Sequence, residues 1–128
     1  MTRIAFTGIG MLAGIVIGAA AVGGLNAQNA GPGAYAVVDI SEINDPAGFV
    51  TLLPKAMQAN KEFGGKFITR TEKIVALDGT PPKRFVVIAF DSMDKAKAWD
   101  KSPLQGEVNA IRKKSTKSRV FLVDGDLQ

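Results

Sequence analysis

The chemistry open to this chain is limited by the side chains that it lacks. It contains no histidine and no cysteine, and it has a single tyrosine, Tyr35. The usual nucleophile–base pairs, the usual zinc and copper ligand sets and the commonest haem ligand therefore cannot be built. No glycine-rich phosphate loop follows a strand, so nucleotide binding has no local support. Acid–base work is left to carboxylates, arginines, lysines, Tyr35 and hydroxyls, and the sequence predicts neither a metal nor a cofactor.

Asp39 is the first candidate for acid–base chemistry. Alternate residues of a strand face opposite sides, so Tyr35 and Asp39 share one side and residues 36, 38 and 40 form a wholly apolar other side. The apolar side suits contact with helices, and Tyr35 and Asp39 then face the interior of a barrel. Asp39 is either a base for proton transfer or a carboxylate paired with an arginine. Arg70 and Arg84 are the available cations, as ion-pair partners or as anchors for an anionic ligand, which makes Asp39 and Arg70 the catalytic candidates.

A second candidate site surrounds Trp99. Ser102 and Pro103 interrupt a helical pattern just after it, and Arg112 lies on the helical segment that follows. Trp99 is either a core aromatic or the wall of a pocket that Arg112 reaches. The ligand-binding candidates are Tyr35, Arg84, Trp99, Ser102 and Arg112.

Six elements must position these side chains. Apolar residues at helical spacing predict two helices, the first starting at Asp45 and Pro46 and the second capped by Asp91 or Ser92. Pro54 predicts a kink or a short first turn in the first helix. Strands are predicted from β-branched and aromatic content at 34–43, 66–77, 84–90 and 118–125.

The order βαββαβ predicts an α+β, ferredoxin-like fold with a four-stranded antiparallel sheet and both helices on one face. Such a sheet should alternate apolar with polar residues when its second face meets water. The stretches "FVVIAF" at 85–90 and "VFLV" at 120–123 do not alternate. Two short helices cover one face only, so a second subunit is expected on the other, giving a homodimeric α+β barrel with an apolar interior.

Several stretches also resemble one family. They are "AYAVVDISEINDPAGF", "GGKFITR", "PPKRFVVIAFDSMDKAKAWDKSP" and "FLVDG", which together span about 34–125. The family is the one catalogued as domain of unknown function 1330, and the resemblance implies a dimeric α+β barrel. Phe49, Asp100 and Leu104 stand where that family often has tyrosine or another aromatic residue. Barrels of this architecture include cofactor-free monooxygenases, isomerases and haem enzymes, so the resemblance does not choose a reaction.

The first quarter of the chain differs from the rest. Residues 4–25 carry no charge, Arg3 precedes them, and "GLNAQNA" follows, a layout typical of an export signal. Cleavage is expected after Ala27, with Ala30 as the alternative, although the stretch is long enough for an uncleaved membrane anchor. The expected domains are a signal peptide or anchor at 1–27, a leader at 28–33, the barrel domain at 34–125 and a tail at 126–128. We expect a periplasmic or envelope location, with membrane contact only if the segment is retained.

The charge balance indicates no nucleic-acid partner. The chain has a net charge of +4, and few aromatics are interleaved with the late cluster of basic residues between Lys95 and Arg119. That cluster is either a solvated face or a surface that attracts an anionic membrane surface or ligand.

Two functions from different classes remain. One is a dimer that binds a small apolar or aromatic molecule in or beside the barrel. The other is a metal-free, cofactor-independent monooxygenase- or isomerase-like enzyme with Asp39 as base and Arg70 orienting the substrate. The lack of histidine favours binding.

Overall fold

A computed structural model describes residues 31–125. The predicted export segment, most of the leader and the tail at 126–128 lie outside these residues. Within 31–125, no helix is long and apolar enough to cross a bilayer. The elements in chain order are β1 (Ala34–Ile43), α1 (Pro46–Val50), α2 (Leu53–Glu62), β2 (Lys66–Thr71), β3 (Arg84–Phe90), α3 (Met93–Lys101), α4 (Pro103–Ser115) and β4 (Thr116–Asp124).

The strands form one four-stranded antiparallel sheet in the order β2-β3-β1-β4. Central β1 has Val37 opposite Val87 of β3 on one side and opposite Phe121 of β4 on the other. This is the predicted ferredoxin-like fold. The strand alternation of β1 is also as predicted, because Ala36 packs in one core cluster with Trp99 of α3, and Ile40 in another with Val108 of α4.

The first predicted helix is divided in two. Asp45 caps α1, its Oδ1 accepting a hydrogen bond from the Gly48 N–H at 3.0 Å, and Pro46 occupies the first turn. The helix then stops at Val50, and α2 begins at Leu53 with Pro54 in its own first turn. A proline there removes no intrahelical bond, which explains why the short first turn forms rather than a kink.

Ser102 joins α3 to α4. Its hydroxyl donates to the Trp99 carbonyl at 2.7 Å and accepts from the Gln105 N–H at 3.3 Å. One buried side chain thus closes α3 and caps α4, and Pro103 follows in the first turn. The side chain of Ser102 therefore links the helix that carries Trp99 to the helix that carries Arg112.

The predicted second strand is too long. It ends at Thr71, and residues 72–83 form a loop in which Val75 and Leu77 are 84% and 97% exposed. Thr71 lies opposite Phe85, and continuing that register would place Ile74 and Val75 opposite Pro82 and Pro81. Proline has no N–H to donate to a sheet ladder, so β-branched content alone does not extend the strand.

The side of the sheet away from the helices is also apolar. Cross-strand rows combine Tyr35 with Ala89 and Val123, and Val37 with Val87 and Phe121. We call this surface, together with the next row of Phe85, Asp39 and Arg119, the open face. Phe121 and Val123 are each 42% exposed on it.

Ser102→Ala is expected to lower the free energy of unfolding by about 1–2 kcal/mol, since it removes both hydrogen bonds of the Ser102 hydroxyl, the one to Trp99 and the one from Gln105. Ser92→Ala is the matched control, because Ser92 caps only α3, accepting from the Lys95 N–H at 3.1 Å. Its expected cost is about 0.5–1 kcal/mol. Urea unfolding measures both, and equal costs would contradict the double role of Ser102.

Candidate functional site

A cavity of about 70 Å³ lies between the helix-facing side of the sheet and the helices. Its walls are mostly apolar, with contributions from every strand and helix, including Ile40, Phe49, Leu52, Val86 and Val108. Its volume is several times the roughly 10–15 Å³ that one water needs. Met57, Phe67 and Arg70, which are exposed, lie at its outer end. The cavity can therefore admit a small molecule from solvent.

Four buried polar residues line this cavity with unpartnered atoms. Trp99, Asn60, Gln105 and Arg112 are 1%, 3%, 5% and 8% exposed. Trp99 Nε1, both side-chain polar atoms of Asn60, Gln105 Oε1 and Arg112 Nε have no hydrogen-bond partner among residues 31–125. A buried polar group without a partner costs roughly 1–3 kcal/mol. A molecule that bonds to these atoms would recover that cost.

Arg112 is the buried cation of the site. It donates from Nη1 to Ser118 Oγ at 2.9 Å and from Nη2 to Asn109 Oδ1 at 3.3 Å. Burial lowers the pKa of its guanidinium below the usual value, and the charge of Asp100 opposes this by raising it. Both hydrogen-bond acceptors are neutral, so the contacts fix the side chain in place without neutralising its charge.

Two further arginines come from the strands. Arg84 lies 3.6 Å from Glu72, Nη1 to Oε2, and its Cζ is 5.8 Å from the centre of the Phe49 ring. Arg70 stacks on Phe67, with Cζ 4.4 Å from the ring centre. Both line the cavity together with Arg112, whereas no aspartate or glutamate does. The surface of the cavity is therefore mostly apolar, and the charged residues among those that line it are all positive.

Trp99 forms the inner wall. Its ring packs on Phe90 with centroids 5.2 Å apart and planes tilted by 43°, while the residue also lines the cavity. The two interpretations of Trp99 are thus combined in one side chain, which is both a core aromatic and a pocket wall.

The structure separates the candidates into two groups. Arg70, Arg84, Trp99 and Arg112 come together around the cavity. Ser102 does not line it and instead positions Trp99 and Gln105 through its two hydrogen bonds.

Tyr35 and Asp39 lie on the other side of the sheet. Asp39 Oδ2 accepts from Arg119 Nε at 3.1 Å, because the β1–β4 register places the two residues opposite each other. The partner expected from sequence, Arg70 or Arg84, is on the helix-facing side instead. The proposed pairing of Asp39 as base with Arg70 as substrate anchor is therefore not brought together within one subunit.

Sequence reasoning missed Asn60 and Gln105. Both interrupt apolar helix faces: Asn60 comes three residues after Met57, and Gln105 three before Val108. A polar residue at a core position of a helix was the signal available. Arg112 was named both as a ligand-binding candidate and within the late basic cluster, and it is buried while its neighbours Lys113 and Lys114 are exposed.

Within residues 31–125, no group of three or more acidic side chains converges to hold a metal ion. The polar groups of the cavity are donors and amide oxygens that suit an organic ligand.

A family model described as "Domain of unknown function (DUF1330)" matches residues 33–126. No curated protein sequence matches the chain.

Several solved structures share its fold. A protein of unknown function from Rhodopseudomonas palustris gives a TM-score of 0.58 at 12% identity, with 84% of this chain and 94% of that chain covered. A hypothetical protein from Arabidopsis thaliana gives 0.55 at 12% identity, covering 77% and 91%. SnoaB, a cofactor-independent oxygenase from Streptomyces nogalater, gives 0.52 at 15% identity, covering 76% and 96%. At these identities the similarities show the fold alone.

Asn60→Leu is expected to raise the free energy of unfolding by about 1 kcal/mol, because it removes two unpartnered buried polar atoms and keeps the branched shape of the side chain beside a cavity that can take the larger methyl groups. Asn109→Leu is the control. Asn109 exchanges hydrogen bonds with Gln105, Arg112 and Asp100, and its loss should cost about 1–2 kcal/mol. Chemical denaturation measures both variants. A destabilised Asn60→Leu protein would mean that the Asn60 amide is engaged in the folded protein.

Proposed function

This chain belongs to the family described as domain of unknown function (DUF1330), and we propose that it acts as a homodimer that binds a small apolar or aromatic molecule in the cavity between its sheet and helices. The observation that carries the ligand proposal is the coincidence of unpartnered buried polar atoms with an apolar cavity. Apolar walls provide affinity by burial, and a few fixed polar groups select the orientation of the ligand. The cavity has both.

The dimer is supported by the open face. Its side chains form apolar rows across three strands, and the helices occupy the opposite side of the sheet. Removing apolar surface from water stabilises by about 25 cal/mol for each Å². Two open faces packed together would bury several large side chains from each copy, which makes a second copy of this chain the proposed cover.

Phe121→Glu tests this interface. Phe121 is 42% exposed in one subunit, so the monomer can accommodate a glutamate at this position. In the proposed dimer, the new carboxylate would be buried at the subunit contact. We expect the dimer dissociation constant to rise about 100-fold or more. Val50→Glu, at an exposed position of α1, is the control and should leave the constant unchanged. Sedimentation velocity over a concentration series measures it, and a monomeric wild-type protein would refute the proposal.

The alternative function is a metal-free, cofactor-independent oxygenase- or isomerase-like enzyme. The description of the Streptomyces nogalater neighbour favours it. Arginine, amide and indole groups in the cavity could orient a substrate. However, no carboxylate lines the cavity, and the candidate base Asp39 lies on the open face. Binding without turnover is therefore our first proposal.

Native mass spectrometry of the protein purified from its own envelope fraction distinguishes these functions. We expect a dimer with one retained small molecule per subunit, recovered unchanged after incubation in air. Conversion of that molecule to an oxidised or isomerised product would support the enzyme instead.

The same spectrum tests the proposed export. We propose removal of the amino-terminal segment and a location outside the cytoplasm, supported by the uncharged stretch at 4–25. A subunit mass corresponding to a start at Gln28 is expected. A subunit that retains Met1–Ala27 would instead favour the membrane anchor.

A further inference from the structure

The charge of the cavity indicates the class of its ligand. Three arginines line it, from β2, β3 and α4, and no acidic residue does. Arg84 has Glu72 at 3.6 Å, but Glu72 is exposed and outside the lining. A neutral apolar ligand would leave Arg70 and Arg112 without a salt bridge within residues 31–125.

Arg112 is the cation with the strongest need for a partner. It is 8% exposed, and among residues 31–125 it forms no salt bridge. Asp100 acts on it by its charge but forms no salt bridge with it, and the two are joined by Asn109, whose Nδ2 donates to Asp100 Oδ1 at 3.5 Å. A buried charge is costly unless an opposite charge or hydrogen bonds compensate it. The unpartnered Nε–H of Arg112 is a donor that a negatively charged acceptor can use.

The remaining unpartnered atoms describe the rest of the ligand. Trp99 Nε1 is a second donor, and Asn60 offers a donor and an acceptor. Gln105 Oε1 is an acceptor, which suits a hydroxyl or N–H group. The walls between them are aliphatic and aromatic, and the cavity volume of about 70 Å³ favours a small body.

We propose that the cavity binds a small organic monoanion, a carboxylate on an apolar or aromatic body of about one ring, with Arg112 as the anchor of the charged group. Trp99 forms the wall beside the ring and supplies a further donor. This inference rests on the proposed binding in the cavity and adds the charge of the ligand. Arg70 of β2 and Arg84 of β3 also line the cavity, and their positive charges attract an anion toward it.

The test compares benzoate with benzamide, which has the same ring without the charge. Trp99 is the only tryptophan of the chain, so its indole N–H gives one resolved signal in a ¹H–¹⁵N spectrum and reports directly from the cavity wall. In the wild-type full-length protein, we expect benzoate to shift this signal and to bind at least about 10-fold more tightly than benzamide. Calorimetry gives the two dissociation constants.

Arg112→Met should weaken benzoate binding at least about 10-fold and change benzamide binding less than about 2-fold. Lys113→Met is the matched control, since it removes one positive charge from the next, exposed position of the same helix. It should leave both constants unchanged. Circular dichroism checks folding, and Arg112→Lys, which keeps the charge but loses the Nε–H fork, should give an intermediate benzoate affinity.

Each unexpected outcome contradicts a different part of the proposal. Equal binding of benzoate and benzamide overturns the anion proposal and leaves ligand binding in the cavity standing. If neither moves the indole signal, binding in the cavity is itself contradicted. If Lys113→Met weakens benzoate as much as Arg112→Met does, surface charge rather than the cavity attracts it. If inorganic phosphate shifts the indole signal and binds as tightly as benzoate, the organic body plays no part and the proposed class is wrong.

Discussion

The structure depends on a sheet that is apolar on both faces. β1, at its centre, pairs with a strand on each side, so neither of its faces can be left to water without exposing a continuous apolar surface. On one face the helices provide the cover, and the incomplete fit between them and the sheet leaves the cavity. On the other face, residues 31–125 provide no helix. The same pattern of side chains therefore supports both the proposed ligand site and the proposed subunit contact.

The element order and side-chain alternation were predictable because they depend on local periodicity. Ala36 and Ile40 face the helices, as their spacing in the strand predicts. Asp45 caps α1 and Ser92 caps α3, as the sequence predicts. Which residues pair across neighbouring strands was harder to predict from the sequence. The contact of Asp39 with Arg119 depends on the β1–β4 register, which links residues 80 positions apart. The end of β2 likewise depends on what lies opposite it across the sheet.

The candidate site was predictable in part for the same reason. Trp99 and Arg112 were identifiable because they flank a helix break, and they do line one cavity. Asn60 and Gln105 carry no distinctive local signal beyond being polar on an apolar helix face. Both are buried and have side-chain atoms without a hydrogen-bond partner. This burial depends on how the helices pack against the sheet, which the sequence does not show. Such residues reduce stability and are typical of positions where function is favoured over packing.

The one-residue junction at Ser102 also constrains how this site can change over time. Ser102 has extended backbone angles and bonds to both helices through one hydroxyl, so a residue inserted between α3 and α4 would separate the Trp99 carbonyl from the Gln105 N–H and break one of these two hydrogen bonds. A change in chain length at this point would therefore disturb the placement of Arg112 relative to Trp99. Exchange of the side chains that line the cavity leaves this junction intact and offers a way to new ligand preferences on the scaffold.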